Sequence, residues 1–248
     1  MANDLLKVAA EEILQAKRVT AFTGAGISVE SGIPPFRGPQ GLWSKYDPHS
    51  LDINYFRANP VAAWEIIQEI FYNHIKNAVP NDAHIGLAKM ESRNLLQSVI
   101  TQNVDNLHLS AGSRNVIEYH GNSQRLLCLK CNAIYRITEV IIESFPPLCS
   151  ECHEILKPDF VFFGEPIPFK EHQLALQETS NADVWLLIGT TGEIFPAASL
   201  PIEAKFKGKK IIEINIQPSN YTHQITDIFL QGSAVETTQS LLKQLTIL

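Results

Sequence analysis

The chain has 248 residues, 45% of them hydrophobic, which suits one large domain with at most a small satellite. A formal net charge of −6, without a long basic block, argues against binding to nucleic acid. Because no hydrophobic run approaches the roughly 20 residues of a membrane-spanning helix and the first residues lack a secretory signal pattern, we expect a cytoplasmic protein with no membrane segment.

Hydrophobic periodicity and local start signals divide the chain into alternating helices and strands. Asn59-Pro60, for example, has the form of a helix cap followed by proline at the first helical position. The predicted elements in chain order are a helix at 4–17, a strand at 19–22, a helix at 60–77, a helix after Asn81, strands at 96–100, 184–188 and 210–215, and a helix at 234–245.

The predicted strands are nearly continuous in apolar residues, which is typical of a parallel sheet covered by helices on both faces. Polar or glycine-rich turns follow three of them: Gly24-Ala-Gly26, Gln102-Asn-Val-Asp105 and Gly189-Thr-Thr191. In open α/β sheets, ligands bind at the edge formed by the carboxyl ends of the strands. The sequence therefore predicts an α/β fold with its ligand site at that edge.

The four cysteines of the chain form two pairs, Cys128-x2-Cys131 and Cys149-x2-Cys152. This spacing predicts a tetrahedral structural zinc site in a ribbon of short turns, at about 121–158. A disulfide framework, a redox-active pair and four buried thiols are the other interpretations. Since no cysteine remains as a nucleophile, we expect the metal to stabilise the fold and the chemistry to lie elsewhere.

The first turn, Gly24-x-Gly26, is by itself a weak sign of phosphate binding. Val29 stands where the dinucleotide fingerprint has its third glycine, so a plain tight turn is an equally good interpretation. The turn continues as a loop, 24–38, that contains four glycines, two prolines and Arg37. Loops of this length in compact folds are usually functional, and Arg37 can pair with a pyrophosphate.

Seven motifs follow one another along nearly the whole chain: GAGIS…SGIPxFRG at 24–38, TQNVDNLH at 101–108, His120-Gly121, the two cysteine pairs, KPDFVFFGE at 157–165, GTT at 189–191 and IIEIN at 211–215. In this order they resemble the sirtuins, the NAD-dependent protein-lysine deacylases. The sequence looks like a bacterial-type member. An ordinary Rossmann dehydrogenase is the alternative, but it leaves the cysteines and the Gln-Asn-x-Asp turn unexplained.

The resemblance implies a Rossmann-like domain of helices on both faces of a parallel sheet, formed by 1–36, 86–120 and 159–248. A helical insertion at 37–85 and the zinc ribbon at 121–158 would form a small module. NAD, as co-substrate, would meet an acylated lysine side chain of a protein substrate in the cleft between them. One structural Zn²⁺ per chain is implied, and we expect a monomer.

Site residues are carried over by motif. The cofactor-binding residues would be Gly24, Ala25, Gly26, Ser28, Ile33, Phe36, Arg37, Trp43, Gln102, Asn103, Asp105, Gly189, Thr190, Thr191, Asn215 and Ala234. The substrate-binding residues would be Tyr72, Ile75, Phe162, Phe163, Gly164 and Glu165, the last four in a segment that pairs with the substrate backbone as an added strand.

The resemblance makes His120 the general base and gives Asn103 a catalytic role in orienting the nicotinamide. The acyl oxygen would attack the anomeric carbon of NAD, and His120 would then take a proton from a ribose hydroxyl. Nicotinamide would leave in the first step, the ribose oxygen would add to the acyl carbon, and a water molecule would then complete the release of free lysine and 2′-O-acyl-ADP-ribose. The other histidines, including His108 and His153, are expected to be structural or at the surface.

The acyl pocket departs from the pattern that the rest of the chain most resembles, the class that includes desuccinylases and demalonylases. In that class a Tyr and an Arg three residues later bind the distal carboxylate, whereas here Tyr72 is followed by Ile75. Pro35 also replaces a frequent Asp. Losing a charge-assisted bond weakens preference by roughly ten- to a hundredfold, so we expect neutral acyl groups. Alternatively, His74 or Lys76 replaces the arginine.

Three other functions compete with deacylation. An NAD hydrolase or ADP-ribosyltransferase could use the same cleft, and only a dependence of nicotinamide release on an acyl-lysine peptide separates them. A zinc ribbon that binds nucleic acid or protein predicts a basic segment rich in aromatic residues, whereas 121–158 contains few aromatic residues and about as many acidic as basic side chains. An inactive NAD sensor is disfavoured because His120, Asn103 and Asp105 are all present.

Overall fold

The computed structural model describes residues 2–36, 41–75, 77–137 and 146–246. The α-helices are α1 (Ala2–Gln15), α2 (Ile53–Ala58), α3 (Pro60–Ile67), α4 (Asn73–Ile75), α5 (Asp82–Ser92), α6 (Leu107–Ser110), α7 (Phe169–Asn181), α8 (Ser199–Phe206) and α9 (Ala234–Gln244). The strands are β1 (Val19–Thr23), β2 (Ser98–Thr101), β3 (Val116–Glu118), β4 (Gly121–Cys128), β5 (Ile134–Arg136), β6 (Leu156–Phe160), β7 (Val184–Ile188), β8 (Lys210–Asn215) and β9 (Ile228–Gln231).

Six strands form one parallel sheet in the order β3-β2-β1-β7-β8-β9. The strand order reverses between β1 and β7, which makes their carboxyl ends the topological switch point of the sheet. Thr23 at the end of β1 pairs with Thr101 of β2 and with Ile188 of β7. The turns that follow these three strands therefore start side by side.

Alternate side chains of the sheet enter two separate apolar clusters. Ala21 and Leu186 pack against helices α1, α5 and α9 on one face, whereas Phe22 and Trp185 pack against α7 and α8 on the other. Both faces are buried, which is why these strands read as continuous apolar runs. The predicted parallel α/β sheet with helices on both faces is confirmed.

A second sheet is small and antiparallel, in the order β5-β4-β6. Its apolar side packs with α2, α3 and the helical segment after them in a third cluster that contains Trp64, Phe71 and Leu156. The Trp64 indole N–H donates to the Leu156 carbonyl at 2.7 Å and so joins the helical segment to the ribbon. The predicted division into a discontinuous Rossmann-like domain, a helical insertion and a ribbon stays a prediction.

The structure corrects the bounds of several predicted elements. The strands at 184–188 and 210–215 are confirmed residue for residue, and the helix after Asn81 begins with a capping box formed by Asn81 and His84. The predicted helix at 4–17 ends at Gln15, and the strand at 96–100 begins only at Ser98.

The predicted helix at 60–77 is not one regular helix. Its α-helical turns stop at Ile67, a π-helical turn spans Gln68–Tyr72, and α4 follows. A π turn inserts an extra residue and rotates the side chains that follow it, which is common at functional sites. None of the helices in the described ranges is both long and apolar enough to cross a membrane.

Candidate active site

Backbone hydrogen bonds lock together the three turns at the switch point. The Gly26 N–H donates to the Gly189 carbonyl at 2.9 Å, and the Gln102 N–H donates to the Thr23 carbonyl at 3.0 Å. A Cβ atom added to Gly26 would lie 2.6 Å from the Gly189 Cα, which is closer than real side chains come. The rim therefore presents bare backbone there, as a phosphate cradle requires.

Gly189 itself has φ of +63°, and a Cβ atom on it would lie 2.4 Å from the Ile27 nitrogen. Only glycine satisfies both the left-handed backbone and the close contact. Ala25 opens the 3-10 helix Ala25–Ser31 directly after the cradle. The residues present fit a dinucleotide at this rim.

Ser28, Asn103 and Asp105 form one buried hydrogen-bond network beside the cradle. The Asn103 amide nitrogen donates to the Gly24 carbonyl at 3.1 Å and to Ser28 Oγ at 3.2 Å. Ser28 Oγ in turn donates to Asp105 Oδ2 at 2.7 Å. Both amide hydrogens of Asn103 are thus used within the protein, and its side-chain oxygen accepts no bond from the described residues, so it can accept one from a ligand.

Two buried histidines stand behind this network. His84 Nε2 lies 3.5 Å from Ser28 Oγ, and the His84 ring packs edge-on against His108 at 4.8 Å. His108 Nε2 lies 2.9 Å from Thr23 Oγ1, so its predicted packing role agrees with its place. Sequence reasoning treated His84 as structural. Its position at the third residue of α5, facing the Gly24 loop, was visible only in the fold.

Burial changes the charge state of these groups. Desolvation lowers the pKa of His84 to about 4 and also lowers the pKa of His108 well below its ordinary value. Desolvation also raises the pKa of Asp105, against the opposing bonds from the Leu107 amide and Ser28. The site is therefore lined by neutral imidazoles rather than by cations near neutral pH.

Gln102 and Asn215, two of the predicted cofactor-binding residues, both bond to Thr190 in the turn after β7. Asn215 Nδ2 donates to the Thr190 carbonyl at 2.9 Å, and Gln102 Nε2 donates to Thr190 Oγ1 at 3.0 Å. Ala234 is the first residue of α9, whose next amide, of Val235, donates to Glu30 Oε2 at 3.0 Å. The structure thus brings Gln102, Thr190 and Asn215 together, while the neighbouring Thr191 is exposed.

His120 lies between β3 and β4, and its Nδ1 is 3.1 Å from the Gln102 carbonyl oxygen. A carbonyl oxygen only accepts hydrogen bonds, so Nδ1 carries the proton and Nε2 of the neutral ring keeps its lone pair. Desolvation lowers the pKa of His120, and the bond to Gln102 opposes this. His120 is therefore held as a neutral ring, with Nε2 unprotonated, against the turn that carries Gln102 and Asn103.

Six rings in contact, here called the aromatic cluster, line the small-module side. Its members are Phe36, Trp43, Phe71, Phe160, Phe162 and Phe163. Centroid distances run from 4.6 Å for Phe71–Phe160 to 6.3 Å for Trp43–Phe163. Ile33 lies just before the cluster, where its amide donates to the Ser28 carbonyl at 3.3 Å. Arg37, the predicted pyrophosphate ligand, lies outside the described residues.

Tyr72, the last residue of the π turn, and Ile75 of α4 pack on the apolar cluster that contains Trp64, Phe71 and Leu156. The Tyr72 ring stacks on Trp64 with centroids 5.8 Å apart, and its hydroxyl donates to the Ser123 carbonyl at 3.0 Å. Burial raises the pKa of Tyr72, which keeps the hydroxyl protonated. Its single proton is therefore committed to the protein backbone.

The predicted substrate segment is already partly paired within the protein. The Phe163 amide donates to the Leu51 carbonyl at 2.9 Å, and the Phe163 carbonyl accepts from the Ile53 amide at 3.0 Å. Gly164 follows at the cleft, and its amide makes no hydrogen bond to any described residue. An added strand would thus have to use Gly164 and its neighbours rather than both sides of Phe163.

The four cysteines converge as predicted. Their sulfur atoms all lie within 4.8 Å of one another, and none is joined in a disulfide. Cys128 and Cys152 sulfurs are 3.5 Å apart, and Cys131 and Cys149 sulfurs are 3.6 Å apart. Zn–S bonds of about 2.3 Å in a tetrahedron require sulfur separations near these values, so the four thiols fit a zinc ion.

The neighbours of the thiols complete the description of the zinc site. The Tyr135 hydroxyl lies 3.2 Å from the Cys149 sulfur and 3.0 Å from Ser150 Oγ. His153 is exposed in a left-handed turn and is not part of the cluster of ligand atoms. The interpretations as a disulfide framework and as four buried thiols do not fit, since Cys131 is exposed and all four are free.

A Rossmann-like sheet with a bare glycine rim at its switch point, faced by a four-cysteine module, defines a dinucleotide-binding protein with a structural zinc site. The family model described as "Sir2 family" matches residues 24–196. The chain belongs to the Sir2 family, which confirms the predicted resemblance to sirtuins.

Relatives and solved structures agree along almost the full length. The chain is 42% identical to the NAD-dependent protein deacylase 2 of Pyrobaculum aerophilum, over 95% of this chain and 94% of that protein. It is 44% identical to the NAD-dependent protein deacylase of Pyrococcus abyssi, over 92% of each. A solved Sir2 structure with a p53 peptide and NAD+ has a TM-score of 0.90 at 33% identity, covering 98% of this chain and 99% of that one.

Proposed function

We propose that the protein is an NAD-dependent protein-lysine deacylase. The observation that carries this is His120, a neutral base bonded to the same turn, Gln102 to Asp105, that forms the wall of the dinucleotide rim. The names of the relatives, which are NAD-dependent protein deacylases, support the reaction class. The product would be 2′-O-acyl-ADP-ribose, with release of nicotinamide and free lysine.

NAD would supply an activated ribose carbon, to which the acyl oxygen adds as nicotinamide leaves. The protein would contribute position and proton transfer. Asn103, fixed by its two donated bonds, can present its side-chain oxygen to the nicotinamide amide. His120 Nε2 can take the proton of a ribose hydroxyl, because Nδ1–H is anchored on Gln102. The zinc site would hold the ribbon and take no part in these steps.

Mass spectrometry tests the proposal directly. Purified protein with NAD and an acetyl-lysine peptide should yield the free-lysine peptide and acyl-ADP-ribose in equal amounts. Omitting the acyl group should stop nicotinamide release. If nicotinamide appears at the same rate without the acyl peptide, the protein is an NAD hydrolase or ADP-ribosyltransferase and the deacylase proposal is wrong.

We further propose that neutral acyl groups are preferred over succinyl. Ile75 packs in the apolar cluster where the resemblance would place an arginine, and it offers no charge to a carboxylate. The Tyr72 hydroxyl already donates its proton to Ser123 and so has none for a ligand. Lys76 and the side chain of His74, the two possible replacements, lie outside the described residues.

Turnover of acetyl-, decanoyl- and succinyl-lysine versions of one peptide tests the preference. Acetyl or decanoyl peptide should be turned over at least about tenfold faster than succinyl peptide at limiting concentration. The matched variant Ile75→Arg should raise succinyl turnover, while Val79→Arg, at an exposed position of the same segment, should not. A succinyl preference in the wild-type protein would overturn this proposal.

The substrate class and the location of the protein have separate support. Acylated lysine on protein substrates is supported by the peptide complexes of related Sir2 structures. A cytoplasmic location is supported by four free cysteines. A monomeric state, the absence of a nucleic acid partner and the domain boundaries stay predictions.

A further inference from the structure

The segment after β6 is a tight turn, and a buried lysine lies behind it. The Glu165 amide donates to the Phe162 carbonyl at 3.0 Å, and Gly164 at the third position has φ of +84°. This is the pattern of a type II turn, which needs a left-handed residue at that place. Phe163, at the second position, is 43% exposed and reaches Trp43 of the aromatic cluster.

Lys157 lies behind this turn with only 3% of its side chain exposed. Its ammonium contacts three acceptors: the Pro158 carbonyl at 3.0 Å, the Phe160 carbonyl at 2.7 Å and Glu165 Oε2 at 2.9 Å. A lysine ammonium has three N–H donors, so each has a partner. The ammonium also lies 4.1 Å from the centre of the Phe162 ring, within cation–π range.

Glu165 transmits this support to the turn. The same oxygen, Oε2, accepts the Phe162 amide at 2.8 Å as well as the Lys157 ammonium. A carboxylate without Lys157 would be partly buried and unpaired, and it would move toward water. The Phe162 amide would then lose its acceptor, and the turn that carries Phe163 and Gly164 would lose its shape.

We infer that Lys157 is a positioning residue for the acylated peptide, acting through Glu165 on the turn at 162–165. The inference rests on the proposed function and deepens it. Since the Lys157 side chain is buried and its ammonium is bonded within the protein, it acts on peptide affinity and not on the transfer of the proton. Its expected signature is a raised KM for the peptide, with kcat and the KM for NAD little changed.

The variant Lys157→Met keeps a long side chain but removes the charge. We expect the peptide KM to rise by roughly ten- to a hundredfold, the range of a lost charge-assisted bond, with kcat changed by less than about threefold. Lys157→Arg, which keeps the cation, should restore most of the peptide affinity. An unchanged peptide KM in folded, zinc-containing Lys157→Met protein would overturn the inference.

Arg18→Met is the matched control. Arg18 also pairs with a mostly buried carboxylate, Glu178, but at the amino end of β1, away from the cleft. It should lower stability and leave the peptide KM unchanged. If it raises the peptide KM as much as Lys157→Met does, the effect is one of general stability and the inference is wrong.

If Lys157→Met does not fold, the variant Glu165→Gln tests whether the Lys157–Glu165 pair positions the peptide. It keeps an acceptor for the Phe162 amide but removes the charge that holds Lys157, so the peptide KM should rise several-fold; no rise would overturn the inference. In Lys157→Met/Glu165→Gln the two effects should be less than multiplicative because both act on one contact. If the wild-type protein releases no nicotinamide in the presence of acyl peptide, the proposed function itself has failed.

Discussion

The large sheet and the small module are held together by different means. The sheet is buried on both faces by two apolar clusters, and its rim is fixed by backbone bonds between adjacent turns, such as Gly26 to Gly189. The small module has a three-stranded antiparallel sheet, an aromatic cluster and four clustered thiols. The dinucleotide rim is therefore held by packing and by backbone hydrogen bonds, whereas we expect the peptide side to depend also on the metal and on the Lys157–Glu165 ion pair.

Removing the metal should produce the largest difference between the two regions. Structural zinc sites contribute on the order of 10 kcal/mol to the folding of small modules, so chelation should disorder the ribbon and abolish peptide turnover. NAD binding, measured by calorimetry, should weaken far less, since the rim belongs to the large sheet. Adding zinc back is the control. Equal loss of NAD binding and turnover would mean that the two regions fold as one unit.

The substitution His120→Ala should cause the next largest effect, a loss of peptide turnover. A positioned general base contributes about 10²- to 10⁴-fold, so turnover of an acetyl-lysine peptide should fall by that factor. Zinc content and melting temperature should stay near those of the wild-type protein, because the only hydrogen bond that the His120 side chain makes to a described residue is the one to the Gln102 carbonyl. Turnover at the wild-type rate would remove His120 from its proposed role.

Stability should fall in acid because of His84. The pKa of His84 is about 4 in the folded protein, against an ordinary value of 6.5. The unfolded chain therefore binds an extra proton in that window, and the contribution of neutral His84 is fully present above pH 6.5 and is lost as the pH falls toward 4. The loss is about 3 kcal/mol. Asp105, whose pKa is raised, works in the opposite direction.

Denaturant unfolding between pH 7.5 and 4.5 measures this effect. His84→Gln should flatten the dependence by about one proton, whereas the exposed His223→Gln should not. Comparing variants at the same pH cancels the loss of zinc in acid. An unchanged slope in His84→Gln would show that His84 is not held neutral.

Gly189→Ala should weaken the rim without disturbing the module. The left-handed backbone and the 2.4 Å approach to the Ile27 nitrogen leave no room for a methyl group. Strain of about 1–3 kcal/mol would shift the cradle, so the Kd for NAD should rise roughly tenfold or more. Gly208→Ala is the control, since it is equally left-handed at φ of +77° but has no atom within 4 Å. Equal NAD affinity in both variants would contradict the proposal that the backbone at Gly189 shapes the NAD-binding rim.

Tyr135→Phe should produce the smallest effect, and only in the module. It removes the hydroxyl that lies 3.2 Å from the Cys149 sulfur. Hydrogen bonds to metal ligands typically affect metal affinity by about tenfold or more when buried, and the effect should be smaller at this partly exposed site. Zinc transfer to a colorimetric chelator should be a few-fold faster, while Tyr55→Phe should transfer zinc at the wild-type rate.

Much of the fold was predictable because local signals and global packing agree. Strand β7 is an uninterrupted apolar run, and α5 begins with its cap at Asn81, so both are confirmed. The helices α7 and α8 and the edge strands β3 and β9 were missed. The sequence of α7, FKEHQLALQETSN, buries few of its residues, and three- or four-residue strands give too short a pattern to detect.

The candidate site divides along the same line. The order of the motifs predicted the glycine turns of the rim, the four cysteines and His120, because the spacing of these residues in the sequence reflects turns at strand ends. His84 and Lys157 were missed as functional residues, since each meets its partners across the fold: His84 faces Ser28, and Lys157 folds back on Glu165. The π turn that ends at Tyr72 also could not be predicted, because its residues continue the same helical pattern in the sequence.

The amino-acid sequence by itself determined the family, the parallel sheet and the four clustered cysteines, and it singled out His120 as the candidate base, because periodicity and short motifs encode elements and the turns that end them. The tertiary structure alone decided which ionisable side chains are neutral and which backbone groups already have hydrogen-bond partners. It also decided how Lys157 supports the turn on the peptide side. Those properties depend on desolvation and on distances between segments far apart in the chain, and no local pattern of residues specifies either.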